Sequence, residues 1–270
     1  MKIKRRHFIT LGFIGGIAAL ILDSFWFELY CFEVKNFILN NTNLKKIKAL
    51  QISDLHLNAI GFRQRSLIDK IGAINPDLLL LTGDVIDKSA NLELLDNFLS
   101  QLDNNLEKVA ILGNWEYWGE INLKDLQKIY AKNKCTLLIN DSKKYRFENR
   151  TISITGIDDF VGGTPDISKA LFNYSKSNYH IVLNHCPAYT TQIAHRFEKE
   201  IPVDLILSGH THGGQINIFG KVPFLPQGCG KYLSGWYKDY FKNLYVSKGF
   251  GTSILPIRLG ARAEIAVFHI

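Results

Sequence analysis

Along this chain the apolar residues gather into short runs, and each run stops at a polar residue. Ile47–Ser53 leads into Asp54, Asp77–Thr82 (DLLLLT) into Gly83-Asp84, and Lys108–Leu112 into Gly113-Asn114. Short apolar runs of this kind predict strands covered on both faces. Between them, Gln64–Ile74 and Leu92–Leu102 space their apolar residues as one face of a helix. Strand, helix, strand, helix predicts a sheet with parallel strands and covering helices, whose ligands lie at the carboxyl ends of the strands. The second half is richer in strands. Tyr145–Phe147 and Thr151–Ile157 read as a pair around a turn, followed by Tyr179–Leu183, Val203–Leu207, Gln215–Phe219, Leu244–Ser247 and Ala263–His269.

The start of the chain has a different pattern. Lys2, Lys4, Arg5 and Arg6 precede an apolar run from Phe8 to Leu22, and an aromatic stretch from Phe25 to Phe32 follows. A basic segment before a short apolar one has the form of a signal peptide or signal anchor. The run is shorter than the ~20 residues of a comfortable transmembrane helix. It has no A-x-A site after it, which favours retention as an anchor over cleavage. Arg5-Arg6 also has the form of a twin-arginine export signal. Trp26 and Tyr30 suit a membrane interface. We therefore divide the chain into an anchor and connector, 1–43, and one catalytic domain, 44–270. The basic residues before the run favour a cytoplasmic N-terminus, so a spanning anchor would put the domain outside and an interfacial one would keep it inside.

Composition adds constraints. With 270 residues, 46% of them hydrophobic, the chain can bury a large core. Its net charge of +7 suits acidic partners such as phosphate esters, nucleic acid or an anionic membrane surface. Cys31, Cys135, Cys186 and Cys229 form no C-x-x-C pair and no disulfide framework. There is no internal repeat and no dedicated nucleic-acid-binding motif, so nucleic acid is not an expected partner.

The chemistry lies in five segments that follow the strands: Ser53-Asp54-Leu55-His56, Gly83-Asp84, Gly113-Asn114-Trp115-Glu116, Asn184-His185-Cys186-Pro187 and Gly209-His210-Thr211-His212-Gly213-Gly214-Gln215. Residues i and i+2 of an extended chain share a side, so Asp54 with His56, and His210 with His212, can each present two donors to one place. Glycine beside a donor lets backbone approach without a Cβ clash. Carboxylate, carboxamide and imidazole together suit Mn, Fe or Zn better than Ca²⁺.

These segments, in this order, resemble the calcineurin-like metallophosphoesterases over roughly Lys45 to the C-terminus. The resemblance implies an α/β fold, a β-sandwich flanked by helices in four layers (α/β/β/α). It implies two divalent metal ions, the first held by Asp54, His56 and His212, the second by Asn114, His185 and His210, with Asp84 bridging. An activated water would attack phosphorus without a covalent protein nucleophile. The GHTHGGQ segment and Leu244–Gly249 look most like a membrane-associated bacterial branch. Some of its members are similar to enzymes that cleave UDP-2,3-diacylglucosamine in lipid A synthesis. The expected enzyme is thus a hydrolase of lipid- or nucleotide-linked phosphate at a bacterial inner membrane. An exported general phosphodiesterase or phosphatase and a metal-stabilised module without turnover are the alternatives.

One position departs from the family pattern G-N-H-[DE], because Trp115 stands where the His belongs. An indole N–H donates a hydrogen bond but supplies no acid near neutral pH. Either the protein is a weak or dead hydrolase, or its leaving group departs without a proton, as a pyrophosphate or activated diester allows. Glu116 is an alternative proton source. Trp115 and Trp118 could line an acyl or nucleobase pocket, and Phe219–Trp236, with Val222-Pro223-Phe224-Leu225-Pro226, could form its rim or a membrane-facing loop. Arg63 and Arg65 are placed to pair with a phosphate. His180, His195, Arg196 and His269 read as structural or solvated.

Overall fold

A computed structural model describes residues 4–39, 46–148, 150–197, 201–238 and 243–270. The strands of the first half are β1 (Glu33–Ile38), β2 (Lys48–Ile52), β3 (Leu78–Thr82), β4 (Glu107–Ile111) and β5 (Cys135–Leu137). Those of the second are β6 (Asp141–Phe147), β7 (Arg150–Gly156), β8 (Tyr179–Leu183), β9 (Leu205–Ser208), β10 (Gly235–Tyr237), β11 (Leu244–Val246) and β12 (Glu264–His269). They form two six-stranded sheets, ordered β1-β12-β2-β3-β4-β5 and β10-β11-β9-β8-β7-β6. β2 to β5 run parallel, as do β7, β8, β9 and β11.

The strands lack sequence alternation because both of their faces are buried. In β3, Leu79 and Leu81 pack with the helices Phe62–Ile74, Leu92–Ser100 and Leu123–Lys132, while Leu78 and Leu80 pack against the second sheet. Ile152, Ile154, Ile181, Leu183, Leu205 and Leu207 meet them there. The outer face of the second sheet, Val182, Ile206, Leu244 and Val246, is covered by Ile193 and Phe197 of the helix Thr190–Phe197. The result is helix, sheet, sheet, helix, the four-layer sandwich expected.

Three strands escaped the sequence reading. β1 comes from the segment assigned to the connector, and it pairs in parallel with β12 along its whole length. β5 and β10 are three residues each, too short to show a period. Conversely, Gln215–Phe219 is not a strand. Gln215 and Phe219 have φ of 53° and 52°, which interrupts extension, and only isolated bridges form, Ile216 with Leu259 and Ile218 with Lys221.

The apolar N-terminal run is the helix Arg5–Leu22, none of whose residues is buried. The continuous helical stretch Arg5–Tyr30 is, among the described residues, the one long and apolar enough to cross a membrane. Its foot is built into the body. Ser24 O accepts from Arg258 N at 3.0 Å, and the buried Glu28 carboxylate accepts from Gly260 N and Ala261 N at 2.7 and 3.0 Å.

Two stability measurements follow from these contacts. Glu28→Ala strands two backbone donors, so urea unfolding should show a loss of about 1–3 kcal/mol. His180 is fixed as a neutral imidazole: Nδ1 faces the Pro202 carbonyl at 2.9 Å and Nε2 faces Thr155 Oγ1 at 2.9 Å. Burial pushes its pKa below the ordinary histidine value. A depressed folded pKa gives stability that is complete above the unfolded value of about 6.5 and is lost as pH falls below it. Unfolding free energy measured from pH 7 to pH 5 should therefore fall less steeply in His180→Gln than in the unmutated protein.

Candidate metal centre

The five polar segments meet at the carboxyl ends of β2, β3, β4, β8 and β9. Each begins within three residues of its strand, where the backbone leaves the sheet and can turn a side chain across the sandwich edge. The turns are tight. Asp54, His56, Asp84, His210 and His212 all have positive φ, between 44° and 73°. Left-handed backbone at so many non-glycine residues is strained and persists only where surroundings over-determine it. Two glycines are required by close approach. A Cβ on Gly83 would lie 2.4 Å from His185 Nδ1, and one on Gly209 would lie 1.8 Å from Ser53 Oγ.

All seven expected donor residues lie together and are buried. His56 Nε2 is 3.1 Å from His212 Nε2 and 3.9 Å from Asp84 Oδ2. His212 Nε2 is 3.5 Å from Asp54 Oδ1. On the other side of Asp84, His185 Nε2 is 3.1 Å from Asp84 Oδ2 and 3.3 Å from Asn114 Oδ1. Asp84 therefore stands between His56 and His185. Donor atoms of Asp54, His56 and His212, and of Asp54, Asp84 and His185, are close enough to share an ion, as are those of His185, Cys186 and His210.

The imidazoles are held by one nitrogen and offer the other. His56 Nδ1 lies 2.6 Å from Asp87 Oδ1, His185 Nδ1 lies 2.8 Å from Thr82 O, and His210 Nε2 lies 2.7 Å from Gln227 O. Each of these partners can only accept, so the held nitrogen carries a proton and, in the neutral ring, the free nitrogen bears a lone pair. In a neutral His185, that lone pair would face the Asp84 carboxylate. His210 Nδ1 is buried with no hydrogen-bond partner. Lone pairs facing carboxylate and carboxamide oxygens call for a cation between them, and this donor set fits divalent transition metals. Second partners of the Asp87 kind orient a metal-binding histidine.

The buried carboxylates and imidazoles shift one another's protonation. Burial raises the Asp54 pKa, against the pull of His185. Burial would raise Asp84 as well, but the neighbouring His185 overrides it and holds the carboxyl down at about 2. His185 is raised well above its ordinary value, despite burial, by Asp84 and Asp54. His56 is raised, despite burial, by Asp87. His212 is held well below its ordinary value by burial, His56 and Arg258, and stays neutral as a ligand must.

Glu116 does not face the cluster as a proton source. Its carboxylate accepts from Asp84 N, Val85 N, Ile86 N and Gly113 N at 2.6–3.3 Å, tying two donor loops together. Burial and Asp84 push its pKa up to about 7. Trp115 N donates to Asp84 Oδ1 at 2.9 Å, and its ring meets His56 edge-on at 6.0 Å. Trp115 and Trp118 line a cavity of about 420 Å³ that opens from Asp84, Asn114, His210 and His212 and is bounded by Pro223–Gln227 and Ser253–Leu255. Arg63 is not brought to this cavity. It begins the helix Phe62–Ile74 and lies 4.3 Å over the Phe250 ring, where burial and Arg258 lower its pKa to about 9. Arg65, His195 and Arg196 are exposed, and His269 sits half-buried at the end of β12.

The sequence reading missed Asp87 and Arg258. Arg258 is fully buried and donates to the carbonyls of Gly251, Ala261, Lys248 and Gly249 at 2.6–3.1 Å, with Nη2 3.4 Å from His212 Nδ1. Asp87, three residues past Asp84, carried a local signal. Arg258 carried none.

A sequence model of the calcineurin-like phosphoesterases matches residues 47–214. YkoQ, an uncharacterised metallophosphoesterase of Bacillus subtilis, is 30% identical over 238 residues, covering 83% of this chain and 83% of its own. YkuE, another from the same bacterium, is 29% identical and covers 99% of this chain and 97% of its own length. A Bos taurus transmembrane protein with a metallophosphoesterase domain is 27% identical across 83% of this chain and 52% of that protein.

Proposed function

This chain belongs to the calcineurin-like phosphoesterase family, a family of metal-dependent phosphoric ester hydrolases, and on that premise we propose that its seven buried donors form a two-metal centre for hydrolysis of lipid- or nucleotide-linked phosphate. The observation that carries the reading is the set of imidazoles at the strand ends: Nε2 of His56 and His185 faces Asp84, Nε2 of His185 also faces Asn114, Nε2 of His212 faces Asp54, and Nδ1 of His210 is buried without a hydrogen-bond partner. Asp54, His56 and His212 would hold one ion, Asn114, His185 and His210 the other, and Asp84 would join them. Manganese is our first choice of metal, with iron and zinc as alternatives.

When bound, two such ions supply Lewis-acid polarisation of phosphoryl oxygens and lower the pKa of water. The chain's own groups do the rest. Asp87, Thr82 O and Gln227 O fix the imidazole tautomers. Asp84 and Asn114 reach the cavity floor, where the phosphoryl group would sit. At the mouth, Trp115 can donate a hydrogen bond from its indole but cannot protonate a leaving oxygen. Glu116 is committed to backbone amides. A leaving group stable as an anion suits this site, which favours a pyrophosphate or activated diester over an alkyl monoester.

We place the protein at a bacterial inner membrane through its N-terminal helix, with 44–270 as the catalytic domain and β1 completing its first sheet. UDP-2,3-diacylglucosamine, cleaved to UMP and a lipid monophosphate, is our specific candidate for substrate, and its source is the sequence resemblance. Mass spectrometry of products from the Mn²⁺-loaded protein, with Asp84→Ala as blank, tests it. UMP and the lipid phosphate should appear only with the unmutated protein. If neither appears while soluble activated diesters are still turned over, an envelope phosphodiesterase is the better reading.

Two substitutions probe the parts. Asp87→Asn should weaken metal affinity by about 10–100-fold in a metal-buffered titration. Trp115→His should shift preference from pyrophosphates and activated diesters towards alkyl monoesters, with metal content retained. An unchanged substrate profile would remove Trp115 from the specificity argument.

A further inference from the structure

We propose that the cavity beside the centre receives the acyl chain of an amphiphilic phosphoester and that this chain enters from the membrane. The inference rests on the phosphoesterase reading and narrows its substrate class. The floor of the cavity is polar, but its walls are Trp115 and Trp118 on one side and Phe224, Leu225, Ile254 and Leu255 on the other. Among the described residues, no lysine or arginine lines it. A polyanionic nucleotide would therefore find no protein cation among these residues, whereas an apolar tail finds a mostly apolar wall, interrupted by Gln215, Gln227 and Ser253.

The lips of the cavity are water-exposed in the isolated chain. Phe224 is 85% exposed, Ile254 89%, Trp118 53% and Leu255 50%. A contiguous exposed apolar rim around a polar floor marks a membrane or ligand contact. The N-terminal helix says which. Its foot is pinned where Arg258 N donates to Ser24 O. Arg258 lies three residues from Leu255, a chain length of about 10 Å at most. Two and six residues beyond Ser24, Trp26 and Tyr30 stack at 6.4 Å with 57% and 40% exposure, as side chains of a membrane interface do. A bilayer that holds Arg5–Leu22 and ends at Trp26 therefore has its surface beside the cavity lip. A tail can then slide from bilayer to cavity without crossing water, its phosphate stopping at Asp84, Asn114, His210 and His212.

The test uses the full-length chain in phosphatidylcholine nanodiscs with dodecyl phosphate carrying a terminal diazirine. After photolysis, peptide mass spectrometry should find label on Trp115, Trp118, 224–225 and 254–255 as well as on the helix Arg5–Leu22. The double variant Phe224→Ser/Ile254→Ser should lower cavity label at least about fivefold relative to helix label, which serves as an internal reference. Unlabelled dodecyl phosphate should displace the cavity label at a tenfold lower concentration than uridine monophosphate does. Label confined to the helix, or displacement in the reverse order, overturns the proposal. Hydrolysis of bis(p-nitrophenyl) phosphate on the same sample keeps the two readings apart. Turnover without cavity label sinks the acyl cavity alone, and cavity label without turnover supports the cavity while sinking the hydrolase.

Discussion

Two carboxylates, Asp54 and Asp84, are buried beside one another at the edge of a sandwich whose core clusters are aliphatic and aromatic. Like charges in a dry site cannot both persist without compensation. The architecture around them supplies it from several directions. His210 N donates to both Asp54 oxygens, Trp115 N to Asp84, and imidazoles from three strand ends crowd the same space. A third buried carboxylate, Glu116, is neutralised in a different way, by four backbone amides. That arrangement fixes the loops after β3 and β4 to one another and so sets the position of Asp84. Cation binding is the natural completion of a cluster whose free nitrogens and carboxylate oxygens face one another.

Much of this was legible in the sequence, for a physical reason. Each donor follows a buried strand, and a strand buried on both faces is an uninterrupted apolar run that ends abruptly where the chain leaves the core. Asp54, Asp84 and Asn114 are marked by that edge. The glycines beside them are marked too, because the packing leaves no room for a Cβ. The same runs predict parallel strands with covering helices, and the family resemblance supplies the four layers.

What stayed hidden depends on contacts far apart in sequence. Arg258 reaches His212 from 46 residues away, and Glu28 reaches Ala261 from 233 away. Neither sits in a periodic segment. β1 is partly exposed along its length, so its alternation is too weak to stand out from a connector. Gln215–Phe219 misled in the opposite sense. Its alternating Ile216 and Ile218 mimic a strand, but left-handed backbone at Gln215 and Phe219 interrupts the extension on either side.

The Glu28 contact carries one more implication. Residues 24–38 act as a keystone: they brace the Arg258 loop, which in turn braces His212, and they add the edge strand of the first sheet. The N-terminal helix and the domain that follows it are therefore not interchangeable modules. A protease that trims the tail after Leu22 would release a body with its bracing intact, whereas a cut ten residues later would take Glu28 with it. Exchange of the N-terminal helix between homologous genes would have to join upstream of Ser24, in the exposed turns of the helix, and not after β1.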